Sequence, residues 1–169
     1  MEFEPVLDLY RKWRPQRVLE VGTYHGGTLY HWLQNACDGA VVVSVDMPPP
    51  GTRLDFGDWV PKGIHFVQIR GDSASPPVVS QAAEYAPYDW VFIDAGHYYR
   101  EVVADWQNYG LSMCDDGVVL FHDILKGHGH PEIEVYRLWK EIKQGHWRTQ
   151  EFIEDPDADW GGIGCVFMS

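Results

Sequence analysis

Short runs of β-branched and aromatic residues alternate with helix-length segments along this chain of 169 residues, and this alternation restricts the possible folds more than any other feature. The first five predicted strands cover residues 17–21, 41–46, 64–70, 88–94 and 117–122. They are nearly continuous in apolar residues, as is typical of parallel strands buried on both faces. The predicted helices cover residues 27–36, 54–61, 76–86, 99–110 and 132–144. This order predicts an α/β fold built on a parallel sheet.

The C-terminal part of the chain departs from this alternation. Residues 147–153 and 162–168 predict two further strands, and the polar segment EDPDADWG between them favours a hairpin. We therefore expect one domain over residues 1–169: a doubly wound, seven-stranded sheet, mostly parallel with an antiparallel C-terminal strand, and helices on both faces. Residues 1–16 predict a short N-terminal docking helix.

The charge balance restricts the partners that we expect. The chain carries 13 Lys and Arg against 25 Asp and Glu, a net charge of −12. Such a surface repels phosphate backbones and anionic lipids, so we expect neither nucleic acid nor a membrane as partner. The N-terminal segment lacks the basic start and apolar run of a signal peptide, which predicts a cytoplasmic protein. The aromatic content of 14% favours a homodimer.

A glycine-rich turn, GTYHGG at residues 22–27, follows the first predicted strand. Its glycines let the backbone approach a ligand closely, and the helix behind it offers free N–H groups to an anionic group. The turn is not a dinucleotide-binding G-x-G-x-x-G, since Tyr24 occupies the place of the second glycine, and it lacks the lysine of a P-loop. A tight connection with no ligand remains an equal alternative.

The next two strands also end in polar residues. Asp46 ends the second strand about 20 residues after the glycine turn, where an acid can accept hydrogen bonds from both hydroxyls of an adenosine ribose. Asp72 and Ser73 follow the third strand, where they could bind an adenine amino group. The alternative is structural, because carboxylates and hydroxyls also form turns and start helices.

Four further polar side chains follow the fourth and fifth strands. Asp94 and His97 lie at the end of one strand, and His122 and Asp123 at the end of the other. Neighbouring strands are about 4.8 Å apart, so these side chains can converge. Carboxylates and imidazoles together can bind a divalent metal or deprotonate a hydroxyl group. Each residue alone could instead be a hydrogen-bonded loop residue.

A histidine-containing loop, KGHGHPE, comes next in the chain. His128 and His130 could ligate a metal ion, or the loop could be a solvated lip of a pocket.

Taken together, these motifs resemble those of class I S-adenosylmethionine-dependent methyltransferases, in particular the group of catechol, macrocin and cephalosporin O-methyltransferases. The resemblance covers residues 17 to 142 in order, and it rests on the segments VLEVGTYHGGT, VVVSVD, GDS, FIDAGHYYREVVADWQNY and GVVLFHDI. It implies a Rossmann-like fold, S-adenosylmethionine as cofactor, and O-methylation of a small hydroxylated molecule such as a sugar or a natural-product intermediate.

The resemblance also implies a role for each residue that matches the family motifs. By position, the cofactor site comprises Glu20, Gly22, Thr23, Tyr24, Gly26, Gly27, Asp46, Met47, Asp72, Ser73 and Asp94. The turn at 22–27 would hold the methionyl end, with Glu20 beneath it. Asp46 would bind the ribose hydroxyls, and Met47 and residues 72–73 would contact the adenine.

For the chemical step, the resemblance implies Asp94 and Asp123 as metal ligands and His97 as general base. Metal-dependent relatives carry an acid or an amide where this chain has His122. Because Mg²⁺ prefers oxygen ligands, His122 weakens the case for magnesium. Magnesium, a softer ion such as Mn²⁺, Zn²⁺ or Fe²⁺ with His122 as ligand, or a metal-free site in which His97 or His122 is the base all remain open.

Two other functions remain as alternatives. One is a non-catalytic module that binds S-adenosylmethionine or S-adenosylhomocysteine. The other, a nicotinamide-dependent oxidoreductase, is disfavoured because Tyr24 interrupts the three-glycine pattern.

Overall fold

The computed structural model describes residues 2–49, 51–52, 54–127 and 129–168, and His128 lies outside these ranges. Within them, the strands form one seven-stranded sheet in the order β3-β2-β1-β4-β5-β7-β6. The strands are β1 (Arg17–Val21), β2 (Val41–Asp46), β3 (His65–Arg70), β4 (Tyr88–Ile93), β5 (Met113–His122), β6 (Arg148–Phe152) and β7 (Ile163–Phe167). This arrangement confirms the predicted fold class.

The order of the parallel strands creates a crevice at one edge of the sheet. Strands β1 to β5 are parallel, whereas β7 is antiparallel to both of its neighbours, β5 and β6. From β1 the sheet grows towards β2 and β3 on one side and towards β4 and β5 on the other. Ligands of open α/β sheets bind at such a reversal of strand order, beyond the carboxyl ends of the strands.

Five α-helices accompany the sheet in the described part of the chain. They are α1 (Phe3–Trp13), α2 (Gly27–Asn35), α3 (Pro76–Ala83), α4 (Tyr99–Asp105) and α5 (Val135–Gln144). A π-helical turn, Trp106–Gly110, continues α4. The apolar stripe of α5 is buried as its periodicity predicts, through Val135, Leu138, Trp139 and Ile142.

The helix predicted over residues 54–61 is wrong. Only Gly57–Trp59 is helical, as one 3₁₀ turn. The Asp55 side chain accepts a hydrogen bond from the Gly57 N–H at 3.0 Å. Such local bonding of an aspartate competes with a regular helix, and the glycine adds an entropic cost.

The central strands are buried on both faces, since successive strand residues point to opposite sides of the sheet and helices cover each side. Val18, Val42 and Trp90 pack with α1 and α2 on one face. Leu19 and Val43 pack with α3, α4 and α5 on the other. The continuous apolar runs of the strands therefore serve two cores. No helix in the described part of the chain is long and apolar enough to cross a membrane.

One buried acid carries an energetic cost. Asp105, the last residue of α4, is only 1% exposed, and neither carboxylate oxygen has a hydrogen-bond partner among the described residues. Burial raises the pKa of Asp105 to about 6, and the Ser73 side chain partly opposes this while Asp72 and Glu101 add to it. The folded state therefore disfavours the ionised form of this acid.

We expect Asp105→Asn to stabilise the protein above pH 6. The pKa of about 6 in the folded state exceeds the ordinary value of 3.8. The cost of burying the ionised acid is therefore complete at pH values where both the folded and the unfolded state are ionised, and it disappears where both are protonated. The gain in unfolding free energy should reach about 3 kcal/mol at pH 8 and fall towards zero near pH 4. Denaturant unfolding of both proteins at the two pH values measures it, and an equal difference at both would contradict this account.

Candidate functional site

A cavity of about 880 Å³ opens at the carboxyl edge of the sheet, where the strand order reverses. Its wall is built from the segments that follow β1 to β5 and from the loop before β7. The lining residues are Gly22, Tyr24, Val45, Asp46, Met47, Gly71, Asp72, Ser73, Ala74, Asp94, Ala95, Gly96, His97, Glu101, His122, Asp123 and Trp160.

The turn after β1 forms part of the cavity floor. Gly22 has a φ of +91°, and a Cβ on it would lie 2.2 Å from the Asp94 backbone oxygen. Only glycine allows this approach of the two loops. A Cβ on Gly26 would lie 2.6 Å from the Phe56 ring, so this glycine is required by the side chains behind the turn. Gly27 has open space around its Cα, and it begins α2 outside the cavity lining.

Asp46 organises this turn from the end of β2. Its Oδ1 accepts hydrogen bonds from the backbone N–H groups of Thr23 at 3.0 Å and Tyr24 at 3.1 Å. Both bonds use Oδ1, which leaves Oδ2 able to accept hydrogen bonds from a ligand in the cavity. The structural and the ligand-binding interpretations of Asp46 are therefore compatible. The Thr23 hydroxyl is turned away from the cavity, because it pairs with Ser44 Oγ at 2.7 Å in the interior.

Glu20 lies behind the turn, within β1, and does not line the cavity. Its side chain is completely buried, and neither carboxylate oxygen has a hydrogen-bond partner in the part of the chain that the structure describes. Burial, followed by the negative charge of Asp94, raises the pKa of Glu20 well above its usual range. This arrangement favours a protonated, neutral acid beneath the glycine turn.

The segment after β3 forms the next part of the wall. Asp72 accepts a hydrogen bond from the Ala74 N–H at 2.9 Å, so it also shapes the turn that leads into α3. The Ser73 carbonyl accepts a bond from the Tyr109 hydroxyl at 2.6 Å, which ties this segment to the π-helical turn. Met47, from the loop after β2, lines the same cavity and is 68% exposed.

Three predicted side chains converge at the ends of β4 and β5. Ligand atoms of Asp94, His97 and Asp123 all lie within 4.8 Å of one another. His97 Nε2 is 3.0 Å from Asp123 Oδ2. Two carboxylates and one imidazole form a donor set that Mn²⁺, Fe²⁺ and Zn²⁺ accept readily and that still offers oxygen ligands to Mg²⁺. The residues present therefore fit a divalent cation.

The charges of this cluster are strongly coupled. Burial opposes ionisation of Asp123, but the imidazoles of His122 and His97 outweigh it and lower the pKa of this carboxyl below its usual range. The hydrogen bond to Asp123 raises the pKa of His97. Asp123 also has a positive φ of 61°, an unusual backbone conformation for a residue other than glycine.

His122 lies beside the cluster in a different environment. Its Nδ1 is 3.1 Å from Asp123 Oδ1 and 3.5 Å from Asp94 Oδ1, and its Nε2 is 3.6 Å from Glu2 Oε1. Burial would lower the pKa of His122, but Asp123 and Asp94 raise it to about 11. Both histidines therefore contact the carboxylates. Among the described residues, His97 is the one that joins Asp94 and Asp123 in a group whose ligand atoms all lie within 4.8 Å of one another.

Other residues at this edge were not singled out from the sequence. Glu101 and Trp160 line the cavity. Glu2 accepts a hydrogen bond at 2.9 Å from the N–H of Gly162, two residues after Trp160. A tryptophan within the polar segment EDPDADWG was the one signal available for Trp160. His130 pairs with Glu132 at 3.0 Å, outside the three-residue cluster.

A family model described as a methyltransferase domain matches residues 19–124. The uncharacterized protein y4gI of Sinorhizobium fredii is 26% identical over 140 residues, which is 76% of this chain. The chain spans about 15% of the length of that relative.

Two solved structures share the fold. An O-methyltransferase from Bacillus cereus, in complex with SAH, superimposes with a TM-score of 0.75 at 15% identity over 98% of this chain and 79% of that one. MycE, a methyltransferase of the mycinamycin biosynthetic pathway in complex with Mg and SAH, gives a TM-score of 0.65 at 19% identity over 97% and 48%.

The match to the family model extends from β1 through the end of β5, and so includes the glycine turn, Asp46, Asp72 and the Asp94–His97–Asp123 cluster. It covers well over half of the chain and confirms the family that the sequence motifs resemble. The chain belongs to the methyltransferase domain family.

Proposed function

We propose that this protein transfers the methyl group of S-adenosylmethionine to a hydroxyl group of a small molecule. One observation carries the proposal: a single cavity contains both the Asp46-organised turn and the Asp94–His97–Asp123 cluster. The first can bind the methyl donor, and the second can activate an acceptor. The SAH bound to the B. cereus enzyme supports the same choice of donor.

The electrostatics of the cavity support this donor. The described residues that line it include five carboxylates and no Lys or Arg; the acids are Asp46, Asp72, Asp94, Glu101 and Asp123. Such a lining attracts a cationic sulfonium and repels the pyrophosphate of a dinucleotide. Asp46 Oδ2 would bind the ribose hydroxyls, while Met47, Asp72 and Ser73 would surround the adenine. Residues 22–27 would hold the methionyl end.

Methyl transfer requires alignment and loss of a proton. The acceptor oxygen attacks the methyl carbon in line while the carbon–sulfur bond breaks. The products are the methylated acceptor and S-adenosylhomocysteine, and the proton of the acceptor hydroxyl must be removed. Asp94, His97 and Asp123 would hold a divalent ion, which would lower the pKa of the acceptor hydroxyl. The Mg in the MycE complex supports this choice. Without an ion, His97, oriented by Asp123, would be the base.

The proposal also covers the type of acceptor, the location of the protein and its oligomeric state. The net charge of −12 supports a small-molecule acceptor over nucleic acid or a membrane surface. A cytoplasmic location and a homodimer remain the predictions made from the sequence. Sedimentation of the purified protein would measure the oligomeric state directly.

The first prediction concerns the donor site. Asp46→Ala removes the acceptor for the ribose hydroxyls and releases the turn at Thr23 and Tyr24. Loss of charge-assisted hydrogen bonds should weaken binding of S-adenosylhomocysteine by about 30-fold or more. Calorimetric titration measures this change.

Asp115→Ala provides the matched control, because this exposed acid lies near the start of β5, away from the cavity. The control should bind like the wild type. Equal affinity in the Asp46→Ala and wild-type proteins would refute the placement of the donor.

The second prediction concerns the metal. The wild-type protein should bind one Mn²⁺ in a calorimetric or electron paramagnetic titration, and Asp94→Ala or Asp123→Ala should abolish that binding, since each removes one of three ligands. Asp115→Ala should leave it unchanged.

Methyl transfer to a panel of hydroxylated compounds separates the remaining alternatives. Turnover that survives EDTA but is lost in His97→Ala would replace the metal with a histidine base. Tight binding of S-adenosylhomocysteine without turnover of any acceptor would favour a non-catalytic binding module.

A further inference from the structure

Trp160 has an environment unlike that of the buried tryptophans. Trp32, Trp90 and Trp139 are at most 2% exposed, whereas Trp160 is 53% exposed although it lines the cavity. Keeping a large apolar ring in water is unfavourable. An exposed aromatic ring in a cavity offers a flat apolar face on which the ring of a ligand can stack.

Backbone contacts hold the loop that carries this side chain. The Gly161 carbonyl accepts a hydrogen bond from the Leu125 N–H at 3.0 Å, and the Gly162 carbonyl accepts one from the Ile124 N–H at 3.4 Å. The Gly162 N–H donates to Glu2 at 2.9 Å. Ile124 directly follows Asp123, so these bonds anchor Trp160 at the end of β5. It is therefore on the side of the cavity that carries the reactive cluster, away from the residues proposed to bind adenine.

The charge of the lining limits what can bind beside Trp160. Among the described residues, the cavity lining has no Lys or Arg, and its two imidazoles already face carboxylates: His97 faces Asp123, and His122 faces Asp94 and Asp123. A carboxylate or phosphate on the acceptor would find no free cationic side chain among the described lining residues, and several like charges. Like-charge contacts in a site of this kind cost affinity.

We propose that Trp160 is the platform on which the methyl acceptor stacks, and that the acceptor is an uncharged or cationic hydroxylated ring without a carboxylate or phosphate group. The ring has a flat apolar face, which either an aromatic ring or the C–H face of a sugar provides. This inference rests on the proposed methyl transfer, since it assigns the acceptor of that reaction.

The experiment compares matched acceptors with the wild-type protein. Catechol and methyl glucoside are the neutral aromatic and saturated rings, and 3,4-dihydroxybenzoate and glucose 6-phosphate are their anionic counterparts. Methyl transfer gives kcat and KM, and saturation-transfer NMR in the presence of S-adenosylhomocysteine gives binding where turnover is absent. The neutral member of at least one pair should bind about 10-fold or more tightly than its anionic counterpart. The pair that binds identifies the type of ring.

Variants then test the platform itself. Trp160→Ala should raise KM or the ring dissociation constant about 10-fold, whereas Trp160→Phe, which keeps an aromatic face, should change it less than about 3-fold. Both should leave the affinity for S-adenosylhomocysteine unchanged. Leu111→Ala is the control, because Leu111 is 55% exposed outside the cavity lining.

The outcomes separate the two proposals. Failure of the wild type to bind S-adenosylhomocysteine would refute the proposed function. If S-adenosylhomocysteine binds normally, any of three results would overturn only the acceptor assignment. They are a preference for anionic rings, no binding of either neutral ring, and unchanged ring affinity in Trp160→Ala.

Discussion

The close contact between the turn after β1 and the loop after β4 is the constraint on which the site depends. The Gly22 N–H bonds to the Val45 carbonyl at 2.8 Å, and the Asp94 N–H bonds to the Val21 carbonyl at 2.7 Å. These bonds tie three neighbouring strands together where their order reverses. A side chain on Gly22 would collide with the Asp94 backbone. The contact therefore fixes the ends of β2 and β4, and with them Asp46 and Asp94, around one crevice.

Two arrangements reduce the excess negative charge in and around the site. At the ends of β4 and β5, the imidazoles of His97 and His122 pair with carboxylates and keep Asp123 ionised. Beneath the glycine turn no cation among the described residues faces Glu20, and burial favours the protonated acid. The cavity as a whole stays negative. It is therefore suited to a cationic donor, a divalent ion and an acceptor without negative charge.

Much of the candidate site was predictable because parallel strands all end at the same edge of the sheet. Asp46, Asp72, Asp94 and Asp123 each lie at or just after the carboxyl end of a predicted strand, and all four line the cavity. The helix predicted over 54–61 failed for a local reason, the competing hydrogen bond that the Gly57 N–H donates to the Asp55 side chain. Trp160 could not be placed, because a hairpin turn does not reveal which loop it packs against.

The sequence by itself determined the fold class, the family and the polar residues at the cavity edge, because strands buried on both faces need continuous apolar runs and the residue after each run faces the same edge. Tertiary structure decided how those residues pair. His97 joins Asp94 and Asp123 in one group, whereas His122 contacts the same two carboxylates and also lies 3.6 Å from Glu2. It also brought Glu2 against Gly162 and Trp160 into the cavity, since contacts between distant segments depend on register and packing.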